Sequence, residues 1–304
     1  MKRILITGAT GLVGQEIVKQ YHAKNIAVNY LSTSKSKLKS GANCKGFYWS
    51  PETNEIDVAC FEDVEVIINL AGASIAKRWT ESYKKEIVNS RLQSLSLLFN
   101  TIREHNISIK QLVSASAIGI YPDSNTNYYE EAFNEFGKGF LAKVSVEWET
   151  TALQFKQLNI NVSVIRIGIV LSNNGGVLPK LVTPIKNFVG TALGKGSQWQ
   201  SWIHIEDLAK LFLYVIDNKL EGVFNGVAPN PVKQRELVKA IGKTINRPIV
   251  LPKVPSFVLK LLLGEMNAIV VESQRVSSQK IENLGFQFNY HHLQRALDDL
   301  FKKN

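Results

Sequence analysis

The stretch "RILITGATGLVGQEIVKQYHAK", Arg3 to Lys24, decides the fold. Its opening residues make a short apolar strand. From Leu12 onward, Leu12, Val13, Ile17, Val18 and Tyr21 recur on one side of a helix. Gly8, Gly11 and Gly14 stand between the two. Gly8 makes the turn, Gly11 lets the backbone approach a pyrophosphate, and Gly14 lets helix and strand pack closely. The helix N-terminus then offers free N–H groups to an anion. A dinucleotide site is therefore expected, with Gly8, Thr10, Gly11, Leu12, Val13 and Gly14 around the phosphates. A turn that is only structural is the competing reading.

Outward from this unit, strands and helices alternate. "IAVNYLSTS" is a second strand and "CKGFYW" a weak third. "EVIINLAG" is an almost continuous apolar run, as in a parallel strand buried on both faces. A long helix follows through "TESYKKEIVNSRLQSLSLLFNTIREHN". Then come the strand "KQLVSASAIG", the helix "KGFLAKVSVEWETTALQFKQLN" and the strand "NVSVIRIGIVL". This spacing predicts an α/β fold of the Rossmann type, a doubly wound parallel sheet. Glycines and a proline in "SNNGGVLPK" break the alternation after Leu171. "SWIHIEDLAKLFLYVIDN" is a short extended piece and a helix, and "GVFNGVA" is one more sheet strand. The tail from Pro229 is mainly helical. The expected division is residues 1–174 as the nucleotide-binding domain, completed by 203–227. Residues 175–304 form a smaller, mainly helical lobe on the substrate side.

The second strand selects the dinucleotide. A site for NAD wants a carboxylate about 20 residues beyond the glycine turn, to bind the ribose 2′-hydroxyl. No Asp or Glu occurs between Glu16 and Glu52. The strand ends "LSTSKSK", and Ser32, Thr33, Ser34 and Lys35 can bind a 2′-phosphate that a carboxylate would repel. NADP(H) is the expected cofactor. A solvated Lys35 is the alternative. Leu70, Ala71, Gly72 and Ser114, at the carboxyl ends of the next strands, complete the expected cofactor contacts together with Arg91 and Arg166.

With 304 residues, 45% of them hydrophobic and 20% charged, the chain is ordinary for a soluble globular protein. The apolar run after the first two basic residues is too short for a signal-peptide core. "SFVLKLLLGEMNAIVVE" is interrupted by Lys260, Gly264 and Glu265 and does not read as a membrane span. Cys44 and Cys60 are too few for a disulfide framework and are not spaced for zinc. His291 and His292 do not share a helical face, so no metal site is inferred. A cytoplasmic protein is the default expectation. The net charge of +10 suits an anionic partner, or a dispersed basic surface. No nucleic-acid module with interleaved aromatics occurs. The expected partner is a small-molecule substrate, without nucleic acid or membrane, and the oligomeric state is open.

"TGATGLVG", "INLAGASIAKRW", "NSRLQS", "SASAIGIYP", "FLAKVSVEWE", "VIRIGIVLSNNGGVLPK" and "WIHIEDLA" together resemble the atypical extended short-chain dehydrogenase/reductases called epimerase family proteins. These are similar to nucleotide-sugar epimerases and carry a C-terminal domain of unassigned function. In the wider superfamily a Ser orients the substrate, and a Tyr acts as general acid/base with a Lys one helical turn later lowering its pKa. The resemblance implies Ser116 for the first role. Counted from Ser116, the Tyr position holds Phe140 and the Lys position Val144, so the usual couple is absent. Tyr121 and Lys143 are the candidate replacements. Tyr121 is otherwise a turn residue before Pro122, and Lys143 is about 100° from the expected face. Tyr128 and Tyr129 lie in a polar loop placed to act as a lid. Arg166 pairs with an anionic substrate or a local carboxylate. Ser90 and Arg91 lie under the nicotinamide, unless Arg91 belongs to a structural ion pair. His204 is read as structural. Two functions remain open: an oxidoreductase or epimerase-like enzyme acting on a small hydroxyl or carbonyl compound, and a non-catalytic NADP(H) sensor.

Overall fold

In the computed structural model, residues 3–41 and 43–302 are described. The central sheet contains seven parallel strands: β1 (Arg3–Thr7), β2 (Ala27–Ser32), β3 (Cys44–Ser50), β4 (Val64–Asn69), β5 (Gln111–Ala117), β6 (Asn161–Ile167) and β7 (Gly222–Gly226). Their order is β7-β6-β5-β4-β1-β2-β3. Two short antiparallel segments, Ser40–Gly41 and Glu55–Ile56, border β3. The run of the chain reverses between β1 and β4. Right-handed crossovers therefore put the helices after these two strands on opposite faces and open a crevice at their carboxyl ends.

Helix α1 (Leu12–Ala23) packs on α5 (Ile205–Asp217), and α2 (Glu81–Glu104) packs on α3 (Phe140–Leu153). The sequence explains these elements locally. Thr80 accepts the Tyr83 N–H at the start of α2, with Glu81 in the first turn. His204 does the same for Glu206 at the start of α5 and stacks on Tyr290 at 3.8 Å. In β4, Val66, Ile67 and Ile68 are all buried, as the unbroken apolar run requires.

Beyond β6, Ile169–Leu171 pairs in parallel with Trp202–His204. A second apolar core gathers Leu178, Val182 and Ile185 from α4 (Leu178–Lys186), Leu237, Val238 and Ile241 from α6 (Gln234–Thr244), and Leu293, Leu297 and Leu300 from the C-terminal helix (Leu293–Lys302). No helix among the described residues is long and apolar enough to cross a membrane. Tyr128–Tyr129 pairs with Arg275–Val276, and Tyr129 is fully buried against Tyr121 and Phe133. This segment is pinned rather than lid-like, because its backbone is bonded into a ladder and one of its rings fills a core.

Candidate functional site

The glycine turn forms at the carboxyl end of β1. Gly8 has φ +71°, and a Cβ there would lie 2.9 Å from the Leu70 backbone, so only glycine lets the chain after β4 cross so closely. A Cβ on Gly14 would stand 2.3 Å from the Gly8 carbonyl oxygen. Gly11 is different, for its Cβ would meet only that same oxygen, at 3.2 Å, and otherwise project into open space. Gly11 also begins α1, with no side-chain cap and no acidic residue in the first turn. The first N–H groups of the helix thus face outward beside an exposed Thr10. Bare donors, a positive helix end and room where a side chain would be make a fit for a pyrophosphate. Leu12 and Val13 are half-buried in the first turn. Thr7 Oγ1 donates to Asn69 Oδ1 at 2.8 Å and accepts from the Leu70 and Ala71 N–H groups. Asn69 donates to the buried Ser114 Oγ at 3.1 Å. This chain of bonds aligns the ends of β1, β4 and β5.

At the end of β2, Ser32 is buried and its Oγ accepts the Ser34 N–H, while Thr33 is exposed. Ser34 and Ser36 hydroxyls lie 2.9 Å apart, and Lys35 Nζ sits 4.7 Å from the Tyr48 ring centroid. The rim is hydroxyl-rich and cationic. It suits a phosphate monoester better than a ribose diol.

A cavity of about 170 Å³ opens beyond the ends of β5 and β6. Its walls include Ala117, Ile118 and Gly119 after β5, Ile167 to Ile169 after β6, and Trp199, Gln200 and Glu272 from the C-terminal half. The face of α3 that lines it is Leu141, Val144, Ser145 and Trp148. Phe140 turns elsewhere. It makes an edge contact with Trp79 at 5.1 Å and borders a second, adjoining cavity of about 570 Å³. The two share Gly119, Leu141, Ala268 and Glu272. Counting residues from Ser116 assigned the acid/base positions to Phe140 and Val144. Val144 does line the first cavity and Phe140 does not; the pair one turn apart that both reach its wall is Leu141 and Ser145, in line with Glu149 in the next turn. One residue is about 100° of rotation, enough to move a ring from one cavity to the other. Among the described residues no tyrosine or lysine lines the first cavity. Lys143 is exposed on the far side of the helix.

Ser116 and Tyr121 meet around a buried ion pair. Arg166, on β6, donates from Nε and Nη2 to the two carboxylate oxygens of Glu149, each at 2.9 Å. Ser116 donates to Glu149 Oε1 at 2.6 Å. Arg166 Nη1 donates to the Tyr121 hydroxyl at 2.9 Å, and that hydroxyl donates to Asn225 Oδ1 at 2.8 Å. Burial alone would lower the Arg166 pKa, but the hydrogen bonds and charge of Glu149, followed by Tyr121, raise it above its ordinary value. Burial also raises the Tyr121 pKa, against the lowering influence of Arg166. Ser116 and Arg166 are register partners, so alternation on β5 turns Ser116 to this network and Ala117 to the cavity. Of the two uses expected for Arg166, the structure makes the pairing with a local carboxylate. Glu149 was not singled out in the sequence, although it lies one turn beyond Ser145 on the same face.

Arg91 also differs from its alternative use, for it joins no ion pair among the described residues. Its Nη1 donates to the carbonyls of Ile87 and Ala73, at 2.8 and 3.2 Å, and its guanidinium lies 4.9 Å from the Trp148 ring centroid. A Cβ on the exposed Gly72 would stand 2.8 Å from its Cζ. Ser90 Oγ accepts the Ala73 N–H at 2.8 Å. Glu272, in "VVESQ", is a cavity residue that sequence reading missed. Burial raises its pKa, opposed by a hydrogen bond from Gln274 and reinforced by the charge of Asp123. No local motif marks it. Only its helix's position over the sheet edge brings it to the cleft.

Turn, crevice and sheet order define a doubly wound nucleotide-binding fold of the short-chain dehydrogenase/reductase type. Residues 4–226 match the model of the NAD dependent epimerase/dehydratase family, and residues 254–300 match a domain of unknown function, DUF1731. The chain belongs to the NAD dependent epimerase/dehydratase family. Over 304 residues it is 37% identical to epimerase family protein SAR0825 of Staphylococcus aureus, covering 100% of both chains. The crystal structure of human epimerase family protein SDR39U1 with NADPH superposes with a TM-score of 0.84 and 25% identity, covering 99% of this chain and 100% of that one. A nucleoside-diphosphate sugar epimerase from Corynebacterium glutamicum gives 0.78 and 28%, covering 98% of this chain and 58% of its own. The expected fold and its resemblance to the epimerase family proteins are thus met.

Proposed function

We propose that the protein is an NADP(H)-dependent oxidoreductase or epimerase-like enzyme acting on a small hydroxyl or carbonyl compound, without the tyrosine–lysine couple of its superfamily. The observation that carries this reading is the meeting of two features on one sheet edge. One is a glycine turn with an uncapped helix; the other is a cavity a few strands away. The hydroxyls and Lys35 after β2 favour the 2′-phosphate form, and the NADPH in the human relative points the same way. In the proposed division, residues 1–174 and 203–227 hold the dinucleotide, while the remainder of 175–304 closes over the substrate.

The bound cofactor would supply the hydride, given or taken. The chain's own contribution begins with exclusion of water by the apolar wall of Ile118, Leu141, Val144 and Ile167. Gly8 to Gly14 orient the dinucleotide by its pyrophosphate. Ser116, Tyr121 and Arg166 act as a brace that sets the ends of β5, β6 and β7, since their polar atoms are bonded to one another and to Glu149 and Asn225. Proton exchange falls to Glu272, the one acid in the cavity wall, which burial keeps protonated closer to neutrality than a free glutamate.

A cavity wall without Tyr or Lys equally suits the second reading, an NADP(H) sensor. The test is to saturate the protein with NADPH and follow its absorbance with a panel of small aldehydes and ketones, and to saturate it with NADP+ and follow a panel of small alcohols and sugar nucleotides. Cofactor consumption, or epimerised product with cofactor retained, supports the enzyme. Tight NADPH binding with neither selects the sensor, and no NADPH binding removes both.

A further inference from the structure

Two arginines lie near the carboxyl edge of the sheet, Arg166 buried and Arg91 half-buried, and their surroundings differ in one respect. Arg166 is neutralised by both oxygens of Glu149. Arg91 has no carboxylate partner among the described residues. Among the described residues its acceptors are two backbone carbonyls, both taken by Nη1, so Nε and Nη2 have none there. Burial lowers its pKa to about 10, offset slightly by Tyr83, so it remains a cation at neutral pH. A buried charge is ordinarily paired, because desolvation is costly without an opposite charge. Here the structure holds the cation in place nonetheless. Trp148 supports one face of the guanidinium, and Gly72 passes so close that any side chain there would collide with it.

The guanidinium lines the first cavity, whose only other charged wall residue among those described is Glu272. Glu272 does not neutralise it. The two make no salt bridge, and neither figures among the charges that shift the other. The glycine turn is not part of this wall either, so the charge is not committed to a pyrophosphate lying on that turn. We propose that the cleft takes a substrate carrying a small oxyanion, a carboxylate or a phosphate, and that Arg91 is the group that binds it. This rests on the cleft being a substrate site and adds the charge of its ligand. Guanidinium presents a planar fork that matches an oxyanion in two hydrogen bonds, and the Trp148 ring, 4.9 Å away, packs against it. A cavity of about 170 Å³ compares with the ~150 Å³ that accommodates benzene, so the anionic end itself must be small. The adjoining cavity, about 570 Å³, leaves room for a larger remainder.

The experiment titrates oxalate, methyl phosphate and neutral oxamide into the protein, with and without saturating NADP+, at constant ionic strength. Binding is read by calorimetry and by tryptophan fluorescence, since Trp148 touches the site. One anion is expected to bind saturably and oxamide at least tenfold more weakly; the preferred anion identifies carboxylate or phosphate. Arg91→Met should lose ten- to a hundredfold in that affinity, and Arg91→Lys, which keeps the charge without the fork, should lose less. Dinucleotide affinity measured alongside separates this inference from the proposed function. NADPH binding without anion binding, in both the free and the NADP+-saturated protein, overturns the oxyanion site alone. Equal binding of oxalate and oxamide, or undiminished anion affinity in a folded Arg91→Met variant, overturns it as well.

Discussion

Replacing Glu149 by Met should destabilise the protein far more than replacing Glu149 and Arg166 together. In the wild type the ion-pair side chains are 8% and 5% exposed, so the single variant strands a guanidinium with little water and only the Tyr121 hydroxyl for company. Breaking a buried pair from one side costs about 3–5 kcal/mol, and the Ser116 hydroxyl loses its carboxylate acceptor in the same step. At roughly 2 °C per kcal/mol for a chain of this size, the melting temperature should fall by about 6–10 °C. Arg166→Met leaves a buried carboxylate with only Ser116 and should cost a similar amount. In Glu149→Met with Arg166→Met no charge remains to be solvated. Tyr121 keeps its bond to Asn225, and the loss should shrink to about 1–2 kcal/mol for the stranded hydroxyl of Ser116. Urea unfolding of the four proteins gives the coupling energy directly. Additive losses, or single variants within about 1 kcal/mol of wild type, would refute the claim that desolvation governs this network.

NADPH should bind more tightly than NADH by roughly ten- to a hundredfold, the worth of one charge-assisted contact to the 2′-phosphate, and calorimetry showing parity would count against the reading of Ser32 to Lys35. Gly11→Val should abolish dinucleotide binding with the fold intact, whereas Gly14→Ala, whose methyl would lie 2.3 Å from the Gly8 oxygen, should lower the melting temperature itself. Burial raises the Glu272 pKa above its unfolded value. Its contribution to stability is therefore full below the unfolded pKa and lost as pH rises through the folded one. Glu272→Gln should accordingly flatten the melting-temperature profile from the ordinary glutamate range upward; parallel wild-type and variant profiles would sink the assignment. Leu141→Tyr with Ser145→Lys should yield more NADPH-dependent carbonyl reduction than Phe140→Tyr with Val144→Lys, because a catalytic group misplaced by 1 Å can lose about 100-fold in rate. Equal or reversed gains would restore the original register of the helix.

Much of the proposed site could be read from residue order, and the part that could not has a common cause. Gly8, Gly11 and Gly14 act within a single turn, and Ser32 to Lys35 within the next strand end, so spacing along the chain is nearly spacing in space. Ser116 and Phe140 are different. Relating them requires knowing how far α3 is rotated, and residue counting across the loop between them leaves an error of one residue, which on a helix exchanges one face for another. Arg166 illustrates the same limit. Its type announced an ion pair, but substrate and Glu149 could not be told apart until β6 and α3 were packed together.

Sequence by itself determined the alternation of strands and helices, the phosphate turn, the want of a carboxylate after β2 and the lack of a tyrosine on α3. Each of these is a local property, set by backbone geometry, apolar periodicity or the presence of one side chain. Only the tertiary structure decided that Ser116 and Tyr121 belong to a brace around Glu149, that Leu141 and Ser145 face the cleft, and that Glu272 reaches it from the C-terminal domain. It also left Arg91 without an acid among the described residues. Whether a charge is paired depends on what the folded chain brings within a few ångströms of it, and the partners that matter here are separated by whole elements of the sequence.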